Sequence, residues 1–210
     1  MNNRWNEIIY KIWSPIYDSF FNTGRFLNAR KEIFSKIEFE RTQKILFVGI
    51  GTGADLELIQ YKELDITAID YSFEMLNIAK TKFKETPIHF LRMDAQDMSF
   101  QDHQFDIIIG SLILSVVPDP VKCLEEMIRV LKPNGSLIIF DKFIPKNTEL
   151  SLCKKGMRPL IKLLGTDIGI SFESLYDKHI NTIIVQEDTD IMFNGMYRKI
   201  ILTKRTTHPD

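Results

Sequence analysis

The chain has 210 residues, which is enough for one α/β domain with a sizeable core. Of these residues 44% are hydrophobic and 26% are charged, a composition typical of a globular protein. Its net charge of −1 argues against a nucleic-acid binder, and its two cysteines and four histidines lack the spacing of a disulfide framework or a metal site. We expect a cytoplasmic protein, since neither a signal peptide nor a membrane-spanning apolar run is visible. We also expect a monomer or weak dimer.

The charges are spread unevenly along the chain. Residues 1–44 carry eight Lys or Arg and five Asp or Glu, residues 45–140 carry eight and fourteen, and residues 141–165 carry six and two. Two basic segments therefore flank an acidic centre. If they meet in space, they form a positive surface beside whatever site the centre builds.

The hydrophobic pattern predicts strands and helices that alternate after a helical N-terminal region. The predicted strands are 44–49, 65–70, 88–92, 105–111, 136–142, 181–187 and 196–204, and the predicted helices are 53–61, 72–84, 120–132 and about 149–164. The early strands are short apolar runs, which is typical of parallel strands covered on both faces. The last two strands follow each other across Asn194-Gly195, which predicts a hairpin at the edge of the sheet.

These elements predict one α/β fold. We expect a Rossmann-like, doubly wound, mostly parallel seven-stranded sheet with one antiparallel strand near its edge. An N-terminal helical lid over residues 1–43 precedes a core over residues 44–210, and the core carries a helical insertion around 143–180. Open sheets of this kind bind ligands at the carboxyl ends of their strands.

Three glycines follow the first predicted strand, in the stretch KILFVGIGTGADLELI. Glycines at this spacing let the backbone approach a ligand, and the N–H groups of a helix start suit an anion. The pattern from Gly49 to Ala54 satisfies the dinucleotide fingerprint, and Asp70 at the end of the second strand suits a ribose diol, so an NAD enzyme fits. The additional Gly53 brings the chain closer and favours a ligand whose charged end is small, such as an amino-acid group.

Five stretches extend this pattern. They are ILFVGIGTGADL, ITAIDYSFEML, FLRMDAQDMSF, FDIIIGSLILSVVPDP and EMIRVLKPNGSLIIF. In order and spacing, over about residues 44–143, they resemble the motifs of class I S-adenosylmethionine-dependent methyltransferases. The NAD interpretation accounts for the first two stretches only and becomes a remote alternative. The resemblance implies S-adenosyl-L-methionine as the cofactor and S-adenosyl-L-homocysteine as the product.

The resemblance also implies a cofactor-binding role for residues at the ends of the early strands. They are the backbone of Gly49, Gly51 and Gly53 at the methionine part; Asp70 on both ribose hydroxyls; Tyr71 and Met75 around the adenine; Asp94 on its amino group, with Ala95 and Gln96 flanking the ring; and Ser111 and Leu112 near the sulfonium. Met75 fits a plain core residue equally well.

Methyl transfer from a sulfonium is an in-line displacement with a neutral leaving group, so alignment and exclusion of water supply most of the acceleration. A base matters only for an acceptor that carries a proton. The catalytic candidates are Tyr17 and Asp141. The stretch SPIYD resembles the N-terminal Tyr-Asp element of the quinone-methyltransferase-like branch, where the tyrosine lies on a lid helix. Arg25 and Arg30 follow in this segment, and we expect Arg25 to meet the cofactor carboxylate.

The stretch SVVPDPVKCLEEMIRVLKPNGSLIIFDKF resembles the soluble bacterial phospholipid N-methyltransferases most closely. It departs from them at Asp141, where that group has histidine, and it also resembles membrane-associated alkyl-thiol methyltransferases. We therefore expect a small-molecule or lipid acceptor, with N-methylation of a phospholipid head group as the first choice. Thiol or quinone methylation is the alternative, and a non-catalytic S-adenosylmethionine-binding module is a remote one.

Two segments bear on membrane contact. Trp5, Trp13 and the isoleucines between them fall at helical spacing, which fits a membrane interface or a lid packed on the core. The predicted helix 149–164 carries four basic residues, which anionic lipid head groups attract. We therefore expect peripheral contact with the inner membrane surface.

Overall fold

The computed structural model describes residue 9 and residues 22–146, 148, 152–163 and 165–206. The predictions for Trp5, Trp13 and Tyr17 lie outside these residues. The strands are β1 Lys44–Val48, β2 Asp65–Asp70, β3 His89–Arg92, β4 Phe105–Ser111, β5 Leu131–Lys142, β6 Ile183–Met192 and β7 Tyr197–Lys204. The α-helices with described bounds are α1 Gly24–Phe34, α2 Phe73–Lys82, α3 Pro120–Val130, α4 Leu152–Leu163 and α5 Phe172–Tyr176.

The seven strands form one sheet in the order β3-β2-β1-β4-β5-β7-β6. Strands β1 to β5 pair in parallel, whereas β7 pairs in antiparallel fashion with both β5 and β6. The turn between β6 and β7 contains Asn194 at φ 53° and Gly195 at φ 80°, a left-handed pair that suits a tight reversal. The predicted fold class is therefore confirmed, with one antiparallel strand next to the edge.

Helices cover both faces of this sheet. Leu124 and Met127 of α3 belong to one buried cluster, which also contains Leu137 of β5. Ala29 and Ile33 of α1 belong to the cluster on the other face. Because side chains alternate along a strand, β5 supplies apolar groups to both clusters. This is the two-sided burial expected of a doubly wound sheet.

Polar side chains begin the helices that follow β2 and β4. The Ser72 hydroxyl accepts a hydrogen bond from the Met75 backbone N–H at 3.3 Å and begins α2. The Asp119 carboxylate accepts from Val121 and Lys122 at 3.1 Å and begins α3. Such caps satisfy N–H groups that have no partner within the helix. They fix where the chain leaves the carboxyl edge of the sheet.

Two predicted elements are wrong in part. Instead of a helix over 53–61, two single-turn 3₁₀ helices form at Leu56–Leu58 and Tyr61–Glu63, because Ile59 between them adopts an extended backbone (φ −122°, ψ 160°). Strand β5 begins at Leu131, which pairs with β4, so α3 ends two residues before the predicted 132.

Two further differences concern the second half of the chain. Strand β6 continues to Met192, five residues beyond its predicted end, because it stays paired with β7 up to the turn. The short helix α5 was not predicted and starts at a Ser171 hydroxyl that accepts from the Ser174 N–H at 3.1 Å. Within the described residues, no helix is long and apolar enough to cross a membrane.

Candidate functional site

The glycine turn leaves β1 at the carboxyl edge of the sheet. The backbone N–H groups of Gly49 and Ile50 both donate to the Ile69 carbonyl at 2.9 Å, which joins the turn to β2. Gly49, Gly51 and Gly53 all have positive φ, at 72°, 58° and 84°. L-residues with side chains rarely adopt this backbone, so glycine is favoured at each of the three positions.

The three glycines differ in what surrounds them. A Cβ at Gly49 would lie 2.6 Å from Cδ1 of Ile113, and a Cβ at Gly53 would lie 2.6 Å from Cε2 of Phe83. A Cβ at Gly51 would have no heavy atom within 4 Å. The outer two glycines therefore allow close packing inside the protein, whereas Gly51 faces open space.

Asp70 ends β2 directly beside this turn. Its Oδ2 accepts a hydrogen bond from the Gly51 N–H at 2.8 Å, and its Oδ1 accepts from the Ser72 N–H at 2.8 Å. Burial raises the pKa of Asp70 to about 6, and the backbone hydrogen bonds offset part of this effect. A half-buried carboxylate held in this way keeps lone pairs that suit the two hydroxyls of a ribose.

The loop after β3 is tied to the same edge. The Asp94 Oδ1 accepts from both the backbone N–H and the side-chain amide of Gln96, each at 2.9 Å. The Gln96 Oε1 in turn accepts from the Asp119 N–H at 2.8 Å, which joins this loop to the start of α3. Ala95 between them is buried. The predicted adenine residues Asp94, Ala95 and Gln96 thus form one compact unit.

Tyr71 and Met75 differ in exposure. The Tyr71 ring is 36% exposed, and the Arg92 guanidinium lies over it at 5.6 Å from the ring centroid. The Met75 side chain is buried, as a core residue would be. Tyr71 is therefore the one of this pair with a surface open to a ligand.

The chain after β4 borders the glycine turn from the other side. Leu112 has φ 55°, and its N–H donates to the Phe140 carbonyl at 2.7 Å, which extends the pairing with β5. The next residue, Ile113, is the side chain that packs against Gly49. The half-buried Ser111 and the buried Leu112 therefore lie beside the turn predicted to hold the methionine part.

The predicted catalytic residue Asp141 is fully buried. Its Oδ2 accepts from the Ser115 N–H at 3.2 Å and its Oδ1 from the Lys142 N–H at 2.8 Å. Burial raises the pKa of this carboxyl group. Asp141 thus joins the end of β5 to the loop after β4, and its catalytic role stays a prediction, as does that of Tyr17.

The two arginines of α1 have different surroundings. Arg25 is exposed and lines a cavity of about 340 Å³ between α1 and the β6–β7 turn, together with Met192 and Phe193. The other predicted cofactor residues do not line this cavity. Arg30 is buried, and its Nε lies 3.1 Å from Oδ1 of the buried Asp55, just past the glycine turn.

Sequence reasoning missed several residues of this edge. Ile113 and Phe83, which pack against the glycines, are apolar side chains with no local signal that separates them from other core residues. The Arg30–Asp55 ion pair joins residues 25 positions apart, beyond the reach of a local pattern. Among the described residues, no three His, Cys, Asp or Glu side chains gather to hold a metal ion.

Comparison with known proteins agrees with this geometry. Residues 46–139 match a family model described as a methyltransferase domain. The chain is 33% identical over 168 residues to phosphatidylethanolamine N-methyltransferase of Cereibacter sphaeroides, covering 78% of this chain and 81% of that protein. It is 33% identical over 129 residues to demethylmenaquinone methyltransferase of Paenarthrobacter aurescens (strain TC1), covering 60% and 50%.

The fold has close counterparts among solved structures. A chain in the complex of the Haloferax volcanii Trm112 methyltransferase activator with a methyltransferase superposes with a TM-score of 0.77. The superposition covers 96% of this chain and 98% of that chain at 17% identity, which supports the fold alone. Together with the sequence identity to the phosphatidylethanolamine N-methyltransferase, these matches show that the chain belongs to the class I S-adenosylmethionine-dependent methyltransferases, enzymes that take their methyl group from S-adenosylmethionine and release S-adenosylhomocysteine.

Proposed function

We propose that this methyltransferase N-methylates the ethanolamine head group of a phospholipid. The observation that carries the proposal is the extent of the similarity to a phosphatidylethanolamine N-methyltransferase, which covers about four fifths of both proteins, at 78% and 81%. The similarity to a demethylmenaquinone methyltransferase covers 60% of this chain and 50% of that protein. Methylation of a quinol is therefore the second candidate, and it shares the same cofactor site.

Helix α4 supports a lipid-like acceptor. Met157 is 49% exposed and Leu160 is 61% exposed, and residues three apart lie on the same side of a helix. The sequence of α4, LCKKGMRPLIKL, has four basic residues and no acidic one. Arg158 is paired with Asp167 at 2.8 Å and fastens this helix to the core. Exposed apolar side chains within a basic helix suit the surface of an anionic bilayer. In this proposal α4 places the cytoplasmic enzyme at the inner membrane surface.

When bound, the cofactor would supply a methyl group on a sulfonium, and loss of that methyl group leaves a neutral thioether. Asp70 and Asp94 would hold its nucleoside at the β2 and β3 ends, and the turn around Gly51 would hold its amino-acid end. The ethanolamine ammonium first releases a proton to solvent before the site closes, and the protein must then align the nitrogen lone pair with the methyl group and keep water away. Asp141 keeps the loop after β4 against β5 through the Ser115 N–H.

The N-terminal segment completes the site in this proposal. Residues 1–43 act as a lid, and its described part, α1, packs on the sheet through Ala29 and Ile33. Tyr17 lies on the lid and aligns the acceptor. Closure of a lid excludes water and commits the bound substrate to reaction.

A transfer assay tests the proposed acceptor. The purified protein is incubated with methyl-labelled S-adenosylmethionine and separately with phosphatidylethanolamine vesicles, a demethylmenaquinol or a long-chain alkyl thiol. We expect label in a lipid-extractable N-methylated ethanolamine head group, and clearly less label with an Asp70→Ala protein at subsaturating S-adenosylmethionine. Label that enters only the quinol or only the thiol overturns the phospholipid assignment and leaves the cofactor assignment intact.

Vesicle sedimentation tests the role of α4. We expect that the double substitution Met157→Asp with Leu160→Asp abolishes co-sedimentation with vesicles rich in anionic lipid, because it removes apolar contact and adds negative charge. The matched control is Asn77→Asp with Thr81→Asp, which adds two acids on the exposed side of α2. Equal loss of binding in both variants would show a nonspecific charge effect and contradict docking through α4.

A further inference from the structure

Lys142 lies at the carboxyl edge of the sheet, and it takes no part in cofactor binding or methyl transfer as proposed above. It is the last residue of β5 and pairs with Tyr197 of β7. Ile138 and Phe140 of the same strand belong to the cluster that contains α1. Because strand side chains alternate with a period of two, Lys142 lies on this same face, toward α1.

The position of Lys142 follows from the hydrogen bonds around it. The Phe140 carbonyl accepts from the N–H of Leu112, the residue predicted to lie near the sulfonium. Lys142 is two residues further along β5, beyond the carboxyl end of β4. If the cofactor spans the ends of β2, β1 and β4, Lys142 lies beside it, at the end of the next strand of the sheet.

The ammonium group of Lys142 has no partner among the residues that the structure describes, although the side chain is half-buried. Two lysines that are fully buried, by contrast, have partners. Lys199 donates to the Glu187 carboxylate at 3.0 Å, and Lys204 donates to the Leu131 carbonyl at 2.8 Å. A charge that is partly removed from water without a partner is unfavourable. Accordingly, burial lowers the pKa of Lys142, although nearby carboxylates act in the opposite direction.

Those two carboxylates already have other partners. Asp141 accepts from the backbone N–H groups of Ser115 and Lys142. Asp167 accepts from Nε and a terminal nitrogen of Arg158, at 2.8 and 2.9 Å. Neither carboxylate hydrogen-bonds the Lys142 ammonium, so its N–H donors are available to an external oxyanion.

We propose that Lys142 binds an oxyanion of the methyl acceptor and thereby orients the acceptor over the cofactor. The oxyanion is the phosphodiester of a lipid head group or the phenolate of a quinol. Both are small, hard acceptors of hydrogen bonds that an ammonium pairs with well. The inference rests on the proposed function in taking the acceptor to be one of these two classes, and it makes Lys142 a positioning residue.

Binding measurements test the inference without turnover. Protein saturated with S-adenosylhomocysteine is titrated with dihexanoyl-phosphatidylethanolamine, with ethanolamine alone and with a short-chain demethylmenaquinol. We expect Lys142→Met to weaken the binding of one oxyanion ligand by about 10- to 100-fold, as loss of a charge-assisted contact does. Ethanolamine binding stays unchanged, Lys142→Arg retains most of the affinity, and the ligand that is affected identifies the source of the oxyanion.

The controls separate this inference from folding and from the proposed function. Lys80→Met, which removes an exposed charge on α2, should bind every ligand as the wild type does. Lys142→Met should melt no lower than the wild type, because it removes an unpaired ammonium. Unchanged binding of both oxyanion ligands in Lys142→Met, or no binding of either by the wild type, overturns the inference. Binding that depends on Lys142 without transfer to a phospholipid overturns only the proposed function.

Discussion

The half of the sheet built from β3, β2, β1 and β4 is held together differently from the half built from β5, β7 and β6. In the first half, loops are fixed by short contacts between motif residues, such as the Gly51 N–H with Asp70 at 2.8 Å. In the second half, charged side chains hold separate elements together. The buried Arg198 on β7 pairs with Asp188 on β6 at 2.9 Å and with Glu173 on α5 at 2.8 Å.

In our proposal this difference follows from what each half binds. The first half would surround one fixed ligand, the cofactor, so its backbone turns and carboxylates occur at set spacings. The second half, with α4 and the proposed lid, would face the acceptor, which varies among methyltransferases. The pair of Arg158 and Asp167 is an example from the second half. Its two hydrogen bonds hold α4 to the core, and neither residue belongs to a recognisable sequence motif.

The largest effect should come from the ion pair that links α1 to the cofactor half. We expect Arg30→Ala to lower the free energy of unfolding by about 3–5 kcal/mol, because it leaves the buried Asp55 carboxylate without its charge partner. Urea denaturation measures this loss. The control is Arg25→Ala on the exposed side of the same helix, which should change stability by no more than about 0.5 kcal/mol.

A double variant sharpens the result. Replacing the pair with Arg30→Met and Asp55→Leu should recover most of the lost stability, since no charge is then left buried. If Arg30→Ala is no more destabilising than Arg25→Ala, the Arg30–Asp55 pair does not couple α1 to the segment after the glycine turn.

The next largest effect concerns the lid. Removing residues 1–21 keeps α1 and the Arg30–Asp55 pair, and it should lower turnover by about 100-fold or more, because misaligned acceptors react poorly. S-adenosylhomocysteine binding should persist, though more weakly. Steady-state kinetics and calorimetry on the truncated protein measure both quantities. Full turnover without these residues would show that the second half builds the acceptor site alone.

The smallest of these effects is the pH dependence of cofactor affinity. The raised pKa of Asp70, about 6, means that the cofactor-free protein takes up a proton there as pH falls through 6. Ribose hydroxyls bind the ionised form better, so S-adenosylhomocysteine affinity should fall below pH 6, by at most about tenfold per pH unit. Calorimetry from pH 5 to 8 measures the change, and Asp70→Asn should remove the part due to this group.

Stability of the cofactor-free protein should show the opposite trend. The folded-state pKa of Asp70 lies above the ordinary aspartate value of 3.8, so the folded protein holds this proton more tightly than the unfolded chain. The stabilisation is fully present below pH 3.8 and is lost as pH rises through 6. A stability profile of Asp70→Asn without this difference from the wild type would place the titration elsewhere.

The sequence alone predicted the seven-stranded sheet. Short apolar runs indicated its parallel strands and Asn194-Gly195 indicated its hairpin, whereas the cofactor-binding role of Asp70 at the end of β2 stays a prediction. Local patterns failed where distant contacts decide the backbone. The residue pattern after Gly53 predicts a helix. In the structure, however, Asp55 forms an ion pair with Arg30 and Ile59 has an extended backbone, so 3₁₀ turns form instead.

Contacts between residues far apart in the sequence also determine the surroundings of Lys142, so the sequence alone did not point to this residue. Lys142 differs from other lysines only because both acids near it are engaged by Ser115 and Arg158, which lie 26 and 9 residues from those acids. No pattern of residue spacing predicts these contacts. The same limit applies to Ile113, whose contact with Gly49 depends on how the loop after β4 returns to the sheet.

The division into a cofactor half and an acceptor half is tested most directly by the dissociation constant of S-adenosylhomocysteine in two single variants at pH 7.5. Asp70→Ala removes the carboxylate that we predict to accept the ribose hydroxyls, and it should weaken binding by about tenfold or more. Lys142→Met lies in the other half and should leave the constant as it is in the wild type. Unchanged affinity in Asp70→Ala, or an equal loss in Lys142→Met, would contradict this division.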